Sequence, residues 1–289
     1  MAVNLTSKLT SCLIAASLIV TGTAHADHSK LAADLEQQWK SNAVTLRVPD
    51  RSSHLKFNAI GERLGGAKPG VWATDAVVQV EAVEVRGRTL EITGKRIPLY
   101  FDHKQGRFER TWTPIEVRVS VELKDTETTS DQFMPVLKKI FLTGSQKVTD
   151  LAPPYWATCL KGAIVLDGRF WTCKSKSENR PDAAGIAQNT FRERVYKVAP
   201  GITPPKPVST PDPGYPDIAK NLKVQGTVVL GLIVDTNGRP KDIQIVRPMG
   251  LGLDDEAVRA VEKWKFEPSM HNGSPVPVQI HVEVNFRLY

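Results

Sequence analysis

The chain has few of the residues that metal binding or nucleophilic catalysis requires. Its 289 residues include three cysteines and six histidines. His54 and His103 are isolated, and the neighbouring Asp102 would point to the opposite face of a strand from His103. No zinc-protease helix motif, phosphate-binding loop or glycine-rich dinucleotide motif occurs. The sequence therefore predicts no catalytic residue, no metal site and no cofactor, and an enzyme is the least favoured of three hypotheses for its function.

A clustered basic surface is also missing. The formal net charge is +7 at pH 7, but the basic residues, among them Arg47, Arg86 and Arg110, are scattered along the chain. Nucleic-acid-binding proteins usually concentrate such residues in one patch with interleaved aromatics. We therefore expect a solvated basic surface and no nucleic-acid partner.

Long hydrophobic runs are absent beyond the N-terminus. Residues 1–26 contain no acidic residue, and their apolar core, Leu13 to Val20, is shorter than the ~20 residues of a bilayer span. Ala24 and Ala26 form a small-x-small cleavage site. The pattern predicts a signal peptide over residues 1–26, cleaved after Ala26, and a periplasmic protein. The alternative is an uncleaved inner-membrane anchor over residues 9–24, with the rest of the chain facing the periplasm.

The cysteines agree with export. Cys12 precedes the apolar core, unlike a lipoprotein cysteine, and would leave with the signal peptide. Cys159 and Cys173 remain, and they flank a predicted hairpin over residues 160–171. Because the periplasm is oxidising, the sequence predicts a Cys159–Cys173 disulfide.

Residues 27–198 are predicted to form a mostly-β domain of unknown function. A helix over residues 28–41 comes first, and short alternating strands follow at roughly ten-residue spacing, of which Ile115 to Val121 is the clearest. A second helix, residues 131–140, is predicted to break at Pro135. The spacing favours a sandwich or barrel-like fold. The tryptophans of this region, such as Trp72 and Trp156, are expected in the core rather than in a ligand groove.

A proline-rich linker is predicted over residues 199–214. Six prolines fall between Pro204 and Pro216, and such a segment is stiff and extended. Residues 215–289 then form a small α+β domain. Asn237-Gly238 predicts a type I′ hairpin turn, Asp254 is a candidate helix N-cap, and residues 276–288 alternate apolar and polar side chains in one long strand.

These last residues carry an ordered set of motifs: Tyr215-Pro216-x-x-Ala219, Gly226-Thr227-Val228-Val229-Leu230, Asp235-Thr236-Asn237-Gly238, Leu253-Asp254-x-x-Ala257-Val258, Trp264-x-Phe266-x-Pro268 and Gly273-x-Pro275-Val276. The set resembles the C-terminal domain of the TonB energy-transducer family. The resemblance implies a three-stranded antiparallel sheet with helices on one face, and it places the last strand at the sheet edge. The chain departs from conventional transducers in its short proline-rich arm and its cleavable N-terminal segment.

The resemblance also implies a partner, an extended segment of an outer-membrane transport receptor that adds as a strand to the last strand. The predicted partner-binding residues are Val278, Gln279, Ile280, His281, Val282, Glu283 and Val284, and proline at Ile280 or Val282 is predicted to abolish binding. The alternative hypothesis is a periplasmic interaction or ligand-binding module without a role in energy transduction. An inner-membrane motor complex would be a further partner only if the N-terminus stays uncleaved. An unpaired last strand could also pair with its own copy in a homodimer.

Overall fold

The computed structural model describes residues 28–111, 115–142, 152–160, 165–166, 170–171 and 195–288. The predicted signal peptide, with Ala24 and Ala26, lies outside the described residues. In the described ranges, no helix is long and apolar enough to cross a membrane.

The secondary structure is strand-rich. The α-helices are α1 (Ser29–Trp39), α2 (Trp72–Asp75), α3 (Ser130–Ile140), α4 (Ala157–Leu160), α5 (Asp217–Asn221) and α6 (Leu253–Val261), with a 3₁₀ turn at Pro154–Trp156. The strands are β1 (Ala43–Leu46), β2 (His54–Phe57), β3 (Arg63–Leu64), β4 (Val77–Arg86), β5 (Thr89–Arg96), β6 (Leu99–Asp102), β7 (Arg107–Arg110), β8 (Glu116–Glu122), β9 (Phe141–Leu142), β10 (Val165–Leu166), β11 (Phe170–Trp171), β12 (Tyr196–Lys197), β13 (Lys206–Ser209), β14 (Gly226–Val234), β15 (Pro240–Arg247), β16 (Lys265–Glu267), β17 (Ser269–His271), β18 (Ser274–Val276) and β19 (Val278–Phe286).

The N-terminal half is built on a seven-stranded sheet of order β3-β2-β8-β5-β4-β1-β9. Its alternating apolar side chains form one core with helices α1 and α3 rather than with a second sheet; Leu31 and Leu35 of α1 and Leu137 of α3 are fully buried in this cluster. The sheet is therefore covered by helices, which differs from the predicted sandwich or barrel. Spacing of strands alone does not distinguish these layers, because a helix and a second sheet both bury one apolar face.

Helix α3 runs without a break through Pro135, contrary to the predicted interruption. The helix starts in a capping box, in which Gln132 Oε1 accepts the Thr129 backbone N–H at 3.1 Å. Phe133, Leu137 and Ile140 are buried along one face. Burial of this face outweighs the single hydrogen bond that Pro135 removes.

The C-terminal half contains the antiparallel arrangement β15-β14-β19, with β12 added beyond β19, so its sheet has four strands rather than the predicted three. The β14–β15 turn is not type I′, because Gly238 has a positive φ of 74° and Asn237 does not. Instead, Gly238 N–H donates to Asp235 O at 3.0 Å, and Asp235 Oδ1 accepts the backbone N–H groups of Asn237 and Arg239 at 2.9 and 2.8 Å. Asp235 therefore organises the turn.

Gly238 is required by both its conformation and its surroundings. A Cβ there would lie 1.8 Å from Phe266 O, and Phe266 N–H donates to Gly238 O at 2.9 Å. Gly238→Ala is therefore expected to lower the free energy of unfolding by about 3 kcal/mol or more, measured by urea titration. Gly273→Ala is the matched control, since Gly273 has a φ of 78° with nothing within 4 Å of the new Cβ. The free energy of unfolding of the control should fall by only about 1–2 kcal/mol. Equal decreases in the two variants would show that the structure relieves the clash between the new Cβ and Phe266 O.

The two halves share a hydrophobic core. Trp72, Phe108 and Trp156 of the N-terminal half belong to the same buried cluster as Leu230, Val258 and Phe286 of the C-terminal half. The rings of Trp72 and Trp156 meet edge to face, with centroids 5.0 Å apart. The expectation that these tryptophans pack in the core is confirmed for Trp72 and Trp156.

Backbone hydrogen bonds join the halves at the edge of this core. Phe101 N–H donates to Met249 O, and Leu251 N–H donates to Leu99 O, both at 2.8 Å. Tyr155 Oη donates to Asp255 Oδ1 at 2.6 Å. The C-terminal half is thus fixed to the N-terminal half through its helix-covered face.

Asp254 and Asp255 lie inside α6 rather than at its N-cap, which is Gly252. The Asp254 carboxylate is fully buried and accepts the backbone N–H groups of Met249 and Gly250 at 2.8 and 2.6 Å. Burial raises the pKa of Asp254 to about 8. The side chain therefore pins the loop that contacts β6, a role that the N-cap prediction missed.

The predicted linker is bound along the C-terminal half. Strand β13 pairs with β16, Thr203 N–H donates to Met270 O at 3.0 Å, and Trp264 Nε1 donates to Pro211 O at 3.2 Å. The proline-rich segment is extended, as predicted, but its backbone is engaged along the domain instead of acting as a spacer.

Candidate functional site

The candidate site is the outer edge of β19. Along its whole length β19 pairs on one side with β14, from Gly226↔Phe286 to Val234↔Val278. On the far side of the sheet, β15 is packed against the 3₁₀ turn and α4, where Thr158 Oγ1 and Gln244 Oε1 lie 3.1 Å apart. In the part of the chain that the structure describes, only β12 lies beyond β19, where it pairs with Val278 and Gln279. The remaining edge, Ile280 to Phe286, is named here the docking edge.

The alternation of the backbone decides which groups the docking edge offers. Tyr196 N–H donates to Pro277 O at 2.9 Å, so the C=O of Pro277 points outward. Backbone groups of successive strand residues point to opposite sides. The N–H and C=O groups of His281, Glu283 and Asn285 therefore point outward as well, while those of Ile280 and Val282 point toward β14.

The direction of these backbone groups changes the prediction, made from the sequence, that proline at Ile280 or Val282 abolishes partner binding. Proline at Ile280 or Val282 would remove a hydrogen bond of the β14–β19 ladder instead of an outward donor. An outward donor is removed at His281 or Glu283. The register of the sheet, which side-chain alternation does not encode, is responsible for the difference.

The side chains of β19 divide between the two faces of the sheet. Val278 and Val284 are buried in the core, whereas Ile280 and Val282 are only half-buried although they face the same side. His281 and Glu283 are exposed on the opposite face, and Gln279 is half-buried. Ile280 and Val282 are therefore partly exposed to solvent beside the docking edge. Apolar side chains of an added strand would cover them and extend the hydrophobic layer. The assignment of Val278 to Val284 to partner binding stays a prediction.

One close approach shapes the exposed face beside the docking edge. A Cβ on Gly231 would lie 3.3 Å from the His281 ring and 3.2 Å from Val246. Since Gly231 has no side chain, the His281 ring can lie over the β14 backbone. The imidazole is therefore positioned by the sheet beside the outward backbone groups of β19.

Strand β12 is the feature of the site that sequence reasoning missed. Residues 195–198, Val-Tyr-Lys-Val, were assigned to the end of the N-terminal domain, with the linker beginning at residue 199. The signal was a short run of β-favouring residues just before the prolines. A two-residue strand gives too little periodicity to detect, and its partner strand is about 80 residues away in the sequence.

The other predicted sites are not assembled into a second functional centre. Cys159 is buried, but Cys173 lies outside the described residues, so the disulfide stays a prediction. His54 Nε2 lies 2.7 Å from Ser120 Oγ, and burial lowers the pKa of His54. Among the described residues, no carboxylate hydrogen-bonds to His54 and no cluster of potential metal ligands occurs. A serine–histidine–carboxylate relay is therefore not formed there.

A cavity of about 440 Å³ lies where Tyr215 to Ile218 meet α2. Its acidic side chains already have partners. Asp75 Oδ2 accepts Val71 N–H and Thr74 Oγ1–H, both at 2.8 Å, and Glu256 pairs with Arg259. These contacts favour a structural junction between the halves over a ligand site.

Comparison with known proteins identifies the C-terminal segment. Residues 211–288 match the family model of the Gram-negative bacterial TonB protein C-terminal. TonB of Vibrio cholerae is 35% identical over 77 residues, which are 26% of this chain and 32% of that protein. The tonB2 protein of Pseudomonas aeruginosa is 34% identical over 79 residues, which are 27% and 29% of the two chains. The resemblance recognised from the motifs is thus confirmed: this segment is a TonB C-terminal domain.

The similarity is confined to that segment. The chain spans about a third of the length of these curated relatives. The solution NMR structure of the Pseudomonas aeruginosa TonB C-terminal domain is 28% identical and covers 31% of this chain and 89% of that chain, with a TM-score of 0.25.

Proposed function

We propose that this protein works in the periplasm as a TonB-like, non-enzymatic protein, which binds an extended segment of an outer-membrane transport receptor by strand addition to the docking edge. The observation that carries the proposal is the row of outward backbone groups at His281, Glu283 and Asn285. Within the described ranges no strand pairs with this row, and such a row is a template for another strand. The relatives named TonB support a role in transport for the same domain.

The chain itself supports the orientation of the bound segment. Strand β12 pairs with β19 in parallel, so a parallel extended segment fits this edge. Main-chain hydrogen bonds would supply most of the affinity. Half-buried Ile280 and Val282 favour a partner with apolar side chains at alternate positions, because these would fill the incomplete layer beside them.

A second candidate function is a periplasmic interaction module without energy transduction. The observation that favours it is the shared core of the two halves. A C-terminal domain that is packed against a folded N-terminal half cannot extend as far as a domain carried on a long flexible arm. Its reach is then set by the N-terminal half, and whether residues 1–26 anchor the chain or are cleaved determines whether a motor complex could act on it.

An NMR titration tests the proposed function. The ¹⁵N-labelled full chain would be titrated with synthetic peptides that copy the periplasm-facing N-terminal segments of the same bacterium's outer-membrane receptors. We expect saturable amide shifts at His281, Glu283 and Asn285, with small shifts on β15. Scrambled peptides of the same composition are the control.

The outcomes separate the candidate functions. Shifts restricted to the N-terminal half, or none with any receptor peptide, would reject receptor binding at this edge and favour the second candidate. Concentration-dependent shifts on β19 without peptide would show that the edge pairs with a second copy of the chain instead. Sedimentation equilibrium would then report the dimer.

A further inference from the structure

A short segment of the chain occupies the start of the β19 edge. Tyr196 and Lys197 pair in parallel with Val278 and Gln279. Tyr196 N–H donates to Pro277 O at 2.9 Å, and its ring packs on the His271 ring with centroids 5.4 Å apart. We name residues 195–198 the strap. It uses the same kind of backbone contact as the proposed receptor segment.

The strap is held in place from its C-terminal side. Ile202 bridges His271, Met270 N–H donates to Thr203 Oγ1 at 2.8 Å, and Thr203 N–H donates to Met270 O at 3.0 Å. An anchor only a few residues away keeps the strap at an effective concentration on the order of millimolar beside the edge. A strand pairing with a dissociation constant below about a millimolar is then occupied most of the time.

The strap itself is weakly attached. It pairs through two residues, and the flanking valines bury little, since Val195 is 39% and Val198 50% exposed. Lys197 is exposed as well. Strand β13, in contrast, continues over three paired positions with β16. The strap can therefore leave the edge without disturbing either core.

We propose that the strap is an internal pseudo-ligand, which covers the N-terminal end of the β19 edge and is displaced when a partner segment binds. This inference rests on the proposed function, because the strap pairs with the residues of β19 directly before the docking edge. A partner strand that runs in parallel past Gln279 needs the outward groups of Pro277 and Gln279 that the strap already uses. The strap therefore lowers the apparent affinity by the fraction of molecules in which it is bound.

The test uses the full chain and a synthetic peptide with the sequence of residues 193–200, supplied in trans. Tyr196→Pro removes the N–H donor to Pro277, whereas Tyr196→Ala removes the ring from His271 and keeps that N–H. We expect the peptide to bind Tyr196→Pro about tenfold more tightly than the native chain, with Tyr196→Ala in between. Val208→Ala is the matched control, because Val208 lies on β13 and is 64% exposed; its affinity should equal that of the native chain.

Two results would contradict the proposal that the strap is an internal pseudo-ligand. The first is unchanged or weaker peptide binding to Tyr196→Pro and Tyr196→Ala when both variants keep the native melting temperature. The second is tighter binding that survives Gln279→Pro in the Tyr196→Pro background, since the peptide would then bind elsewhere. Receptor peptides could fail to bind while the peptide of residues 193–200 behaves as expected. That result would reject receptor binding at the docking edge and support the strap as an internal pseudo-ligand, so the two proposals can be distinguished.

Discussion

Proline at Glu283 is expected to abolish binding of receptor peptides while the sheet stays folded, whereas proline at Ile280 is expected to unfold the C-terminal half. The two positions are three residues apart on one strand. The Glu283 N–H points out of the sheet, so its loss removes a donor to the added strand and puts the proline ring in that strand's path. The Ile280 N–H points toward Leu232, its partner on β14, and its loss should cost about 3 kcal/mol or more of stability.

Isothermal titration would measure peptide affinity, and circular dichroism melting would measure the fold. Glu283→Ala is the matched control, since it removes the same side chain and keeps the N–H. We expect its affinity to change less than about fivefold, while Glu283→Pro falls below detection. Strand addition at this edge would be wrong if folded Glu283→Pro bound the peptides like Glu283→Ala.

The contrast between these two positions shows what side-chain pattern can and cannot predict. Alternation from residue 276 to 288 was enough to place β19 and its apolar face, because a strand has a period of two. It left the direction of the backbone groups open. That direction depends on pairing with β14 and on β12, which are both distant in sequence from β19.

The N-terminal half shows a related limit. Helix α1 was predicted within two residues of its observed ends, because Leu31, Leu35 and Trp39 form one apolar stripe. The partner of that stripe was not predictable from it. An apolar face must pack against another element, and the spacing of apolar residues does not show whether that element is a sheet or a helix.

Asp254 illustrates how tertiary contacts override a local signal. An aspartate just before an apolar helical stripe is typical of an N-cap. Here Gly250 and Gly252 have positive φ of 82° and 78°, and they turn the chain so that the carboxylate accepts N–H groups from residues before the helix. The loop then reaches Leu99 of the N-terminal half, which no local pattern indicated.

Trp156→Ala is expected to weaken the C-terminal sheet even though residue 156 lies in the N-terminal half of the sequence. Trp156 is fully buried in the cluster that contains Leu230 and Phe286. Its removal leaves a cavity that should cost about 3–5 kcal/mol. Native-state hydrogen exchange should report that loss at the amides of β14 and β19.

Trp39→Ala is the matched control, because Trp39 is also buried but belongs to the separate helix-covered cluster. Trp39→Ala should lower protection against hydrogen exchange by a similar amount at the amides of β1 and β4, and by less at the amides of β14. If Trp156→Ala left exchange in β14 unchanged, the C-terminal half would be stable without the N-terminal half, and the docking edge could move freely on its linker. A loss shared between the halves would instead mean that force applied at β19 passes through the common core to the N-terminal half.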